Sequence, residues 1–165
     1  MKKFASYDIL EKLNETKYTE IYRVTHTFSS KKFILKILKS EFPSHELIVK
    51  IKNEFNILSQ LNSSFVIKAY SLEKERNRYG ILLEDIEGIS LKEYFKGKLR
   101  LTEFFKISIL MVNAIYEVHK KNIIHKDINP SNFIYNPNTE SFKIIDFGIS
   151  TNFLKQNAIL ENPNI

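Results

Sequence analysis

Short apolar and β-branched runs broken by polar residues open the chain. They predict strands over 7–13 and 20–26, and a stronger one over 33–38, Phe-Ile-Leu-Lys-Ile-Leu. Pro43-Ser44 interrupts this pattern, and beyond it Leu47, Ile51, Phe55, Leu58 and Leu61 recur at three- and four-residue spacing. That period predicts a helix with one apolar stripe, Ser44 as its N-cap and an end near Leu61. Two further strands are expected at 65–72 and 79–83, joined by the charged turn 73–78.

The pattern changes after the short acidic stretch 84–88, which reads as a connector between two lobes. A short helix over 91–95 is ended by Gly97, and a long one follows over 102–121. Phe104, Phe105, Ile107, Leu110, Met111, Ala114, Ile115 and Val118 make this long helix apolar over most of its circumference, so it needs covering on several sides. The remainder reads as a loop over 123–132 and strands at 133–135 and 142–145. No internal repeat or low-complexity stretch interrupts the order. The sum is an α+β chain, strands around one helix and then a mainly helical half.

Composition narrows the function classes. A hydrophobic share of 43% is that of a globular chain. The absence of cysteine removes disulfide scaffolds, cysteine-ligated zinc, iron–sulfur clusters and thiol nucleophiles. No apolar run approaches the roughly 20 residues of a membrane helix, and no apolar stretch follows the lysines at the start as in a secretory signal. A soluble, cytoplasmic protein without membrane insertion is the expectation. The net charge of +6 is spread along the chain and arginine is scarce, so a solvated surface explains it better than a nucleic-acid partner.

The candidate chemistry lies in His125-Lys126-Asp127-Ile128-Asn129-Pro130-Ser131-Asn132 and, after the strand at 142–145, in Asp146-Phe147-Gly148. Phosphoryl transfer needs oxygen ligands for Mg²⁺ and a carboxylate near the attacking hydroxyl. Asn132 and Asp146 offer the first and Asp127 the second. Either segment alone could be an ordinary Asn/Asp-rich turn. Both together, in this order and with a strand between them, are poorly explained that way.

On these residues the chain resembles the eukaryotic-like (Hanks-type) protein kinase family: His125-Lys126-Asp127 through Asn132 looks like its catalytic loop, and Asp146-Phe147-Gly148 like its magnesium motif. The wording Ile-Ile-His-Lys-Asp-Ile-Asn-Pro-Ser-Asn is similar, more narrowly, to N-terminal kinase domains of large bacterial sensor proteins that continue into an AAA-type ATPase, a GAF sensor and often a histidine kinase. The resemblance implies a bilobal kinase-like fold, with a first lobe over 1–85 and a partial second lobe over 86–165. It implies ATP and Mg²⁺ as cofactors, a protein substrate, and further domains of the same polypeptide. Lys36, on a strand among apolar neighbours, and Glu54, at the edge of the helix stripe, each need a partner of opposite charge. Together they match the family's Lys–Glu pair that orients the phosphates. By register, Glu84 and Ile86 would bond adenine through their backbones, with Leu83 behind them, while Ile21, Ile34 and Ile134 would sandwich the base. Each of these is equally an ordinary core residue. His125 and Phe147 would join Leu58 in a packed column, His125 as a structural histidine.

Five departures stand beside the resemblance. The glycine-rich loop is missing: Asn14, Thr16 and Thr19 occupy its glycine positions, and no glycine precedes Gly80. Asn129 replaces a lysine that contacts the γ-phosphate, Lys126 replaces an arginine, and Ile34 replaces a small alanine. The chain stops at Ile165 without an Ala-Pro-Glu motif, so a C-terminally truncated domain is expected, with an exposed apolar face of hundreds of Å² on the 102–121 helix. The leading expectation is a Ser/Thr protein kinase catalytic domain. A pseudokinase-like regulatory module that binds nucleotide without catalysis is the alternative, and a small-molecule kinase of the aminoglycoside or choline type is a third, disfavoured by Phe147-Gly148.

Overall fold

The computed structural model describes residues 3–153 of the chain. It divides into two compact units, Met1–Asn56 with Lys68–Asp85, and Ile57–Ile67 with Ile86–Ile165. The expected start of an activation segment lies largely outside the described residues.

The first unit is built on one antiparallel sheet. Its strands are β1 (Lys3–Phe4), β2 (Tyr7–Glu15), β3 (Thr19–His26), β4 (Lys32–Leu38), β5 (Ala69–Glu75) and β6 (Arg78–Glu84), in the order β1-β2-β3-β4-β6-β5. Helix α1 (His45–Leu58) begins where Ser44 Oγ accepts the Leu47 N–H at 3.4 Å, the capping that the sequence predicts. Phe4, Val24, Leu35, Ile37 and Leu82 form the core, with Tyr7, Ile9, Tyr22 and Phe33 packed against it. Each such aliphatic side chain contributes roughly 1.5–3 kcal/mol by leaving water. From Leu35 onward β4 is buried residue after residue, which is why it reads as an apolar run broken only by Lys36. Gly80 lies opposite Ile37, where a Cβ would meet Ile37 Cγ2 at 2.5 Å, so this crossing of β6 and β4 admits only glycine without rearrangement.

Two predicted boundaries move. The strand expected at 65–72 begins only at Ala69 and runs to Glu75, so the charged turn 73–78 contracts to the step around Arg76, whose φ is +53°. An edge strand tolerates such charge, because its outer row faces water. Arg78 opens β6 instead, its guanidinium donating to Leu38 O at 3.0 Å and Glu20 at 3.2 Å. The helix ends at Leu58, short of Leu61.

The second unit contains α2 (Leu91–Tyr94) and α3 (Leu101–His119). Its strands are β7 (Ile89–Ser90), β8 (Ile123–Ile124), β9 (Phe133–Asn136), β10 (Ser141–Ile144) and β11 (Thr151–Asn152). They form two small antiparallel sheets, β10-β9-β7 and β11-β8. The segment 57–67, placed by sequence in the first lobe, clusters here. Ile67 N–H donates to Ile144 O at 3.1 Å, and Ile144 N–H to Phe65 O at 2.8 Å. Ile107, Ala114 and Val118 bury one face of α3. The apolar face expected to be exposed is so: Phe104, Phe105, Ile109, Val112 and Tyr116 stand in solvent. No helix among the described residues is long and apolar enough to cross a membrane.

Candidate active site

In the first unit, Lys36 comes from β4 and Glu54 from α1. Both are buried, at 8% and 3% exposure. Lys36 Nζ lies 2.8 and 2.9 Å from the two carboxylate oxygens of Glu54. A buried ammonium and a buried carboxylate are tolerated because each answers the other. The sequence expectation that these two meet is what the structure contains. Ile21 pairs with Lys36 across β3 and β4, so it lies on the same face of the sheet, and Ile34 joins that face two residues earlier on β4.

The turn between β2 and β3 stands where the glycine loop is missing. Thr16 N–H donates to Thr19 O at 2.8 Å, and the N–H groups of Tyr18 and Thr19 both donate to Thr16 Oγ1, at 3.2 and 3.0 Å. The two hydroxyls lie 2.8 Å apart. Three backbone amides are thus satisfied inside the turn by a threonine hydroxyl and a carbonyl. Lys12 bridges Glu15 and Glu20, and Lys39 also bonds Glu15, whose carboxyl these two lysines hold down at about 2. At the other end of β6, Glu84 N–H donates to Lys68 O at 2.9 Å.

The second unit carries the loop and the strand end. His125 is 1% exposed. The Asp127 N–H donates to its Nδ1 at 3.3 Å, so that nitrogen is the acceptor and the proton sits on Nε2, which donates to Ile145 O at 2.9 Å. Ile145 N–H donates in turn to Asn132 O at 2.9 Å. Both backbone polar groups of Ile145, the residue before Asp146, are therefore anchored to the loop that holds Asp127 and Asn132. Phe147 is fully buried, its ring edge-on to His125 at 4.7 Å, and Ser150 Oγ donates to His125 O at 3.0 Å. Two non-glycine residues adopt left-handed backbone here, Lys126 at φ +67° and Asp146 at φ +65°. Each costs on the order of 1 kcal/mol, a strain that surrounding structure must sustain and that gathers at functional sites.

Asp127 receives an amide on each carboxylate oxygen. Asn132 Nδ2 lies 2.8 Å from Oδ2 and 2.8 Å from the Asp127 carbonyl, and Asn129 Nδ2 lies 2.9 Å from Oδ1. Because Asn132 spends its Nδ2 on Asp127, Oδ1 is its remaining group for a cation, which suits a hard metal ion taking oxygen ligands. Asp146 Oδ1 accepts the Gly148 N–H at 3.3 Å. Ile134 sits on β9, half-buried, beside the connector. Ile86 O and Glu87 O are held by Asn136 Nδ2 at 2.8 and 3.2 Å, and a Cβ on Gly88 would meet Tyr135 O at 2.8 Å. Neither Asn136 nor the bond from Asn129 to Asp127 was foreseen. The second had a readable signal, since an asparagine two residues from an aspartate bonds locally with ease.

Burial pushes the His125 imidazole below the ordinary value of 6.5, against the opposing pull of the Ile145 carbonyl, Asp146 and Asp127. On acidification the unfolded chain therefore takes up this proton first. Stability from this residue is complete above about pH 6.5 and is lost as pH falls below it, by at most about 1.4 kcal/mol per pH unit for one proton. Melting temperatures from pH 7.5 to 5.0 should decline more steeply for the natural protein than for His125→Gln; equal slopes would remove His125 from the account.

The fold is that of a protein kinase domain. The model of that family, the protein kinase domain, matches residues 7–163, and the chain belongs to it. Among curated relatives, the serine/threonine-protein kinase PrkC of Bacillus subtilis is 30% identical over 148 residues, covering 88% of this chain and 23% of its own length. NUAK family SNF1-like kinase 1 of Mus musculus is 28% identical over 155 residues, 90% of this chain and 23% of that protein. A probable serine/threonine-protein kinase of Clostridium acetobutylicum is 26% identical over 147 residues, 87% of this chain and 22% of that protein. The chain thus spans about a quarter of the length of these relatives.

Proposed function

We propose that the chain is the catalytic region of an ATP-dependent Ser/Thr protein kinase. The observation that carries this is the peptide at Ile145, which ties Asp146 to the loop bearing Asp127 and Asn132. Asp127 orients the acceptor hydroxyl of a protein substrate and takes its proton. Asn132, through Oδ1, and Asp146 hold Mg²⁺, which neutralises charge gathering on the phosphate oxygens. Lys36, fixed by Glu54, grips the phosphates. Ile21, Ile34, Ile134 and backbone groups of Glu84 and Ile86 are the adenine contacts. The lobes are residues 1–85 and 86–165, with segment 57–67 of the first stretch clustering with the second. The loop wording supports a cytoplasmic kinase region at the N-terminus of a larger bacterial sensor protein, partnered by its own further domains and a protein substrate, and not by nucleic acid.

A second reading, a regulatory module that binds nucleotide without transfer, is favoured by the self-satisfied turn at Thr16–Thr19. One experiment separates the two: phosphate transfer from Mg·ATP to protein and small-molecule acceptors by the full-length natural polypeptide, beside the thermal shift it undergoes. Nucleotide at 100 times its dissociation constant should stabilise by about 2.7 kcal/mol. Transfer to protein, lost with the magnesium-dependent shift in Asp146→Ala, is the expected result. A shift without transfer gives the regulatory module, and transfer surviving in Asp146→Ala defeats the metal assignment.

A further inference from the structure

Where the kinase pattern has a lysine two residues after the catalytic aspartate, this chain has Asn129. From sequence it reads as a missing charge. In the structure the side chain has other partners. Its Nδ2 donates to Asp127 Oδ1 at 2.9 Å and lies 3.3 Å from the Asp127 carbonyl, while its Oδ1 accepts the Ser131 N–H at 2.9 Å, capping the short turn Pro130–Asn132. Both amide hydrogens of Asn129 are thus directed at Asp127, leaving no donor for a phosphate.

Asn132 holds the second carboxylate oxygen, Oδ2, at 2.8 Å. The terminal torsion of an aspartate is broad and soft. A carboxylate bonded at one oxygen still swings about it, whereas one bonded at both turns only by breaking a hydrogen bond. Asp127 is otherwise exposed, so no packing does this job. We infer that Asn129 is a positioning residue for phosphoryl transfer: it fixes the Asp127 carboxylate at the angle from which it meets the acceptor hydroxyl, without touching the phosphates. The inference rests on the reading of Asp127 as the group that accepts the hydroxyl proton. Small misplacements of such a group are costly, because a 1 Å error can lower the rate by about a hundredfold.

The competing account makes Asn129 a cap and nothing more. Asn129→Ser separates the two, since serine keeps an oxygen for the Ser131 N–H but is too short to reach Asp127 Oδ1. In the full-length protein, with Mg·ATP and a protein acceptor, Asn129→Ser should lower kcat about tenfold. KM for ATP should stay within about twofold and the melting temperature should be unchanged, because only orientation is lost. Asn129→Asp, which sets like charge beside Asp127, should lower kcat further. A natural kcat in Asn129→Ser leaves the cap alone and overturns the inference; a loss confined to KM for ATP makes Asn129 a phosphate ligand and overturns it too. Side-chain NH₂ resonances supply a readout independent of turnover. In Asp127→Ala the signals of both Asn129 and Asn132 should move, and an unmoved Asn129 pair defeats the inference even if no phosphate is transferred. If both pairs move yet Asp127→Ala still transfers phosphate, the catalytic reading of Asp127 falls, and the positioning role with it, while the clamp itself stands.

Discussion

Asp127→Ala should lower kcat for phosphate transfer by about 10²- to 10⁴-fold, the usual contribution of a positioned proton acceptor. The same variant should still bind Mg·ATP and shift its melting temperature as the natural protein does. The reason is local. Asp127 is exposed, its N–H bond to His125 does not depend on its side chain, and the side-chain amides of Asn129 and Asn132 keep the Asp127 carbonyl, at 3.3 and 2.8 Å, when the carboxylate is gone. Substitution at such a position costs little stability, within about 1 kcal/mol. Steady-state kinetics with a saturating protein acceptor, beside a melt with and without nucleotide, checks both halves. A variant that has lost the nucleotide shift would show that Asp127 supports binding, and one that retains kcat would remove it from the chemistry.

The second large effect belongs to Glu54→Leu. Lys36 and Glu54 are both nearly inaccessible to solvent, and two short hydrogen bonds join them. Taking away the carboxylate strips the buried ammonium of both of these hydrogen bonds and of the charge that Glu54 supplies. Breaking a buried pair from one side costs about 3–5 kcal/mol, which lowers Tm by on the order of 10 °C in a chain of this size. Transfer should fall with it. The double variant Lys36→Met, Glu54→Leu should recover most of the melting temperature, because neither charge of the pair is left buried, and none of the transfer. A single variant that melts like the natural protein would show that the pair is not stabilising in the way its burial implies. Recovery of both stability and transfer in the double variant would take Lys36 out of the mechanism.

Much of this was legible in the residues, for physical reasons that differ from place to place. Lys36 inside an apolar strand and Glu54 at the edge of an apolar stripe each posed an electrostatic problem with one economical answer, and so their meeting could be read without coordinates. The order of His125, Asp127, Asn132 and Asp146 pointed to the candidate site because these residue types together have few other uses. What stayed hidden depended on partners distant in sequence. Segment 65–67 has strand-like residues, but the Phe65 carbonyl and the Ile67 N–H bond to Ile144 and not to a ladder of the first sheet. The short strands β1, β7, β8 and β11 have two residues each, too few to show any period. The left-handed backbone of Lys126 and Asp146 is invisible to composition, since neither residue is a glycine. Asn136 read as one more polar residue in an Asn-rich chain, and only the connector's curl at Glu87, where φ is +50°, reveals why a buried amide stands there.

The turn at Thr16–Thr19 changes the entropy of ligand capture. A glycine-rich segment is free before it grips a phosphate and surrenders that freedom on binding, whereas a turn that already holds its own amides has surrendered it during folding. Nucleotide would then find a hairpin with little left to order, and the attraction would come from fixed charge and the metal. Its strength should fall with added salt, since charge contributes more to it than shape, and its arrival should leave the hydrogen-exchange rates of the Thr16, Tyr18 and Thr19 amides where they were.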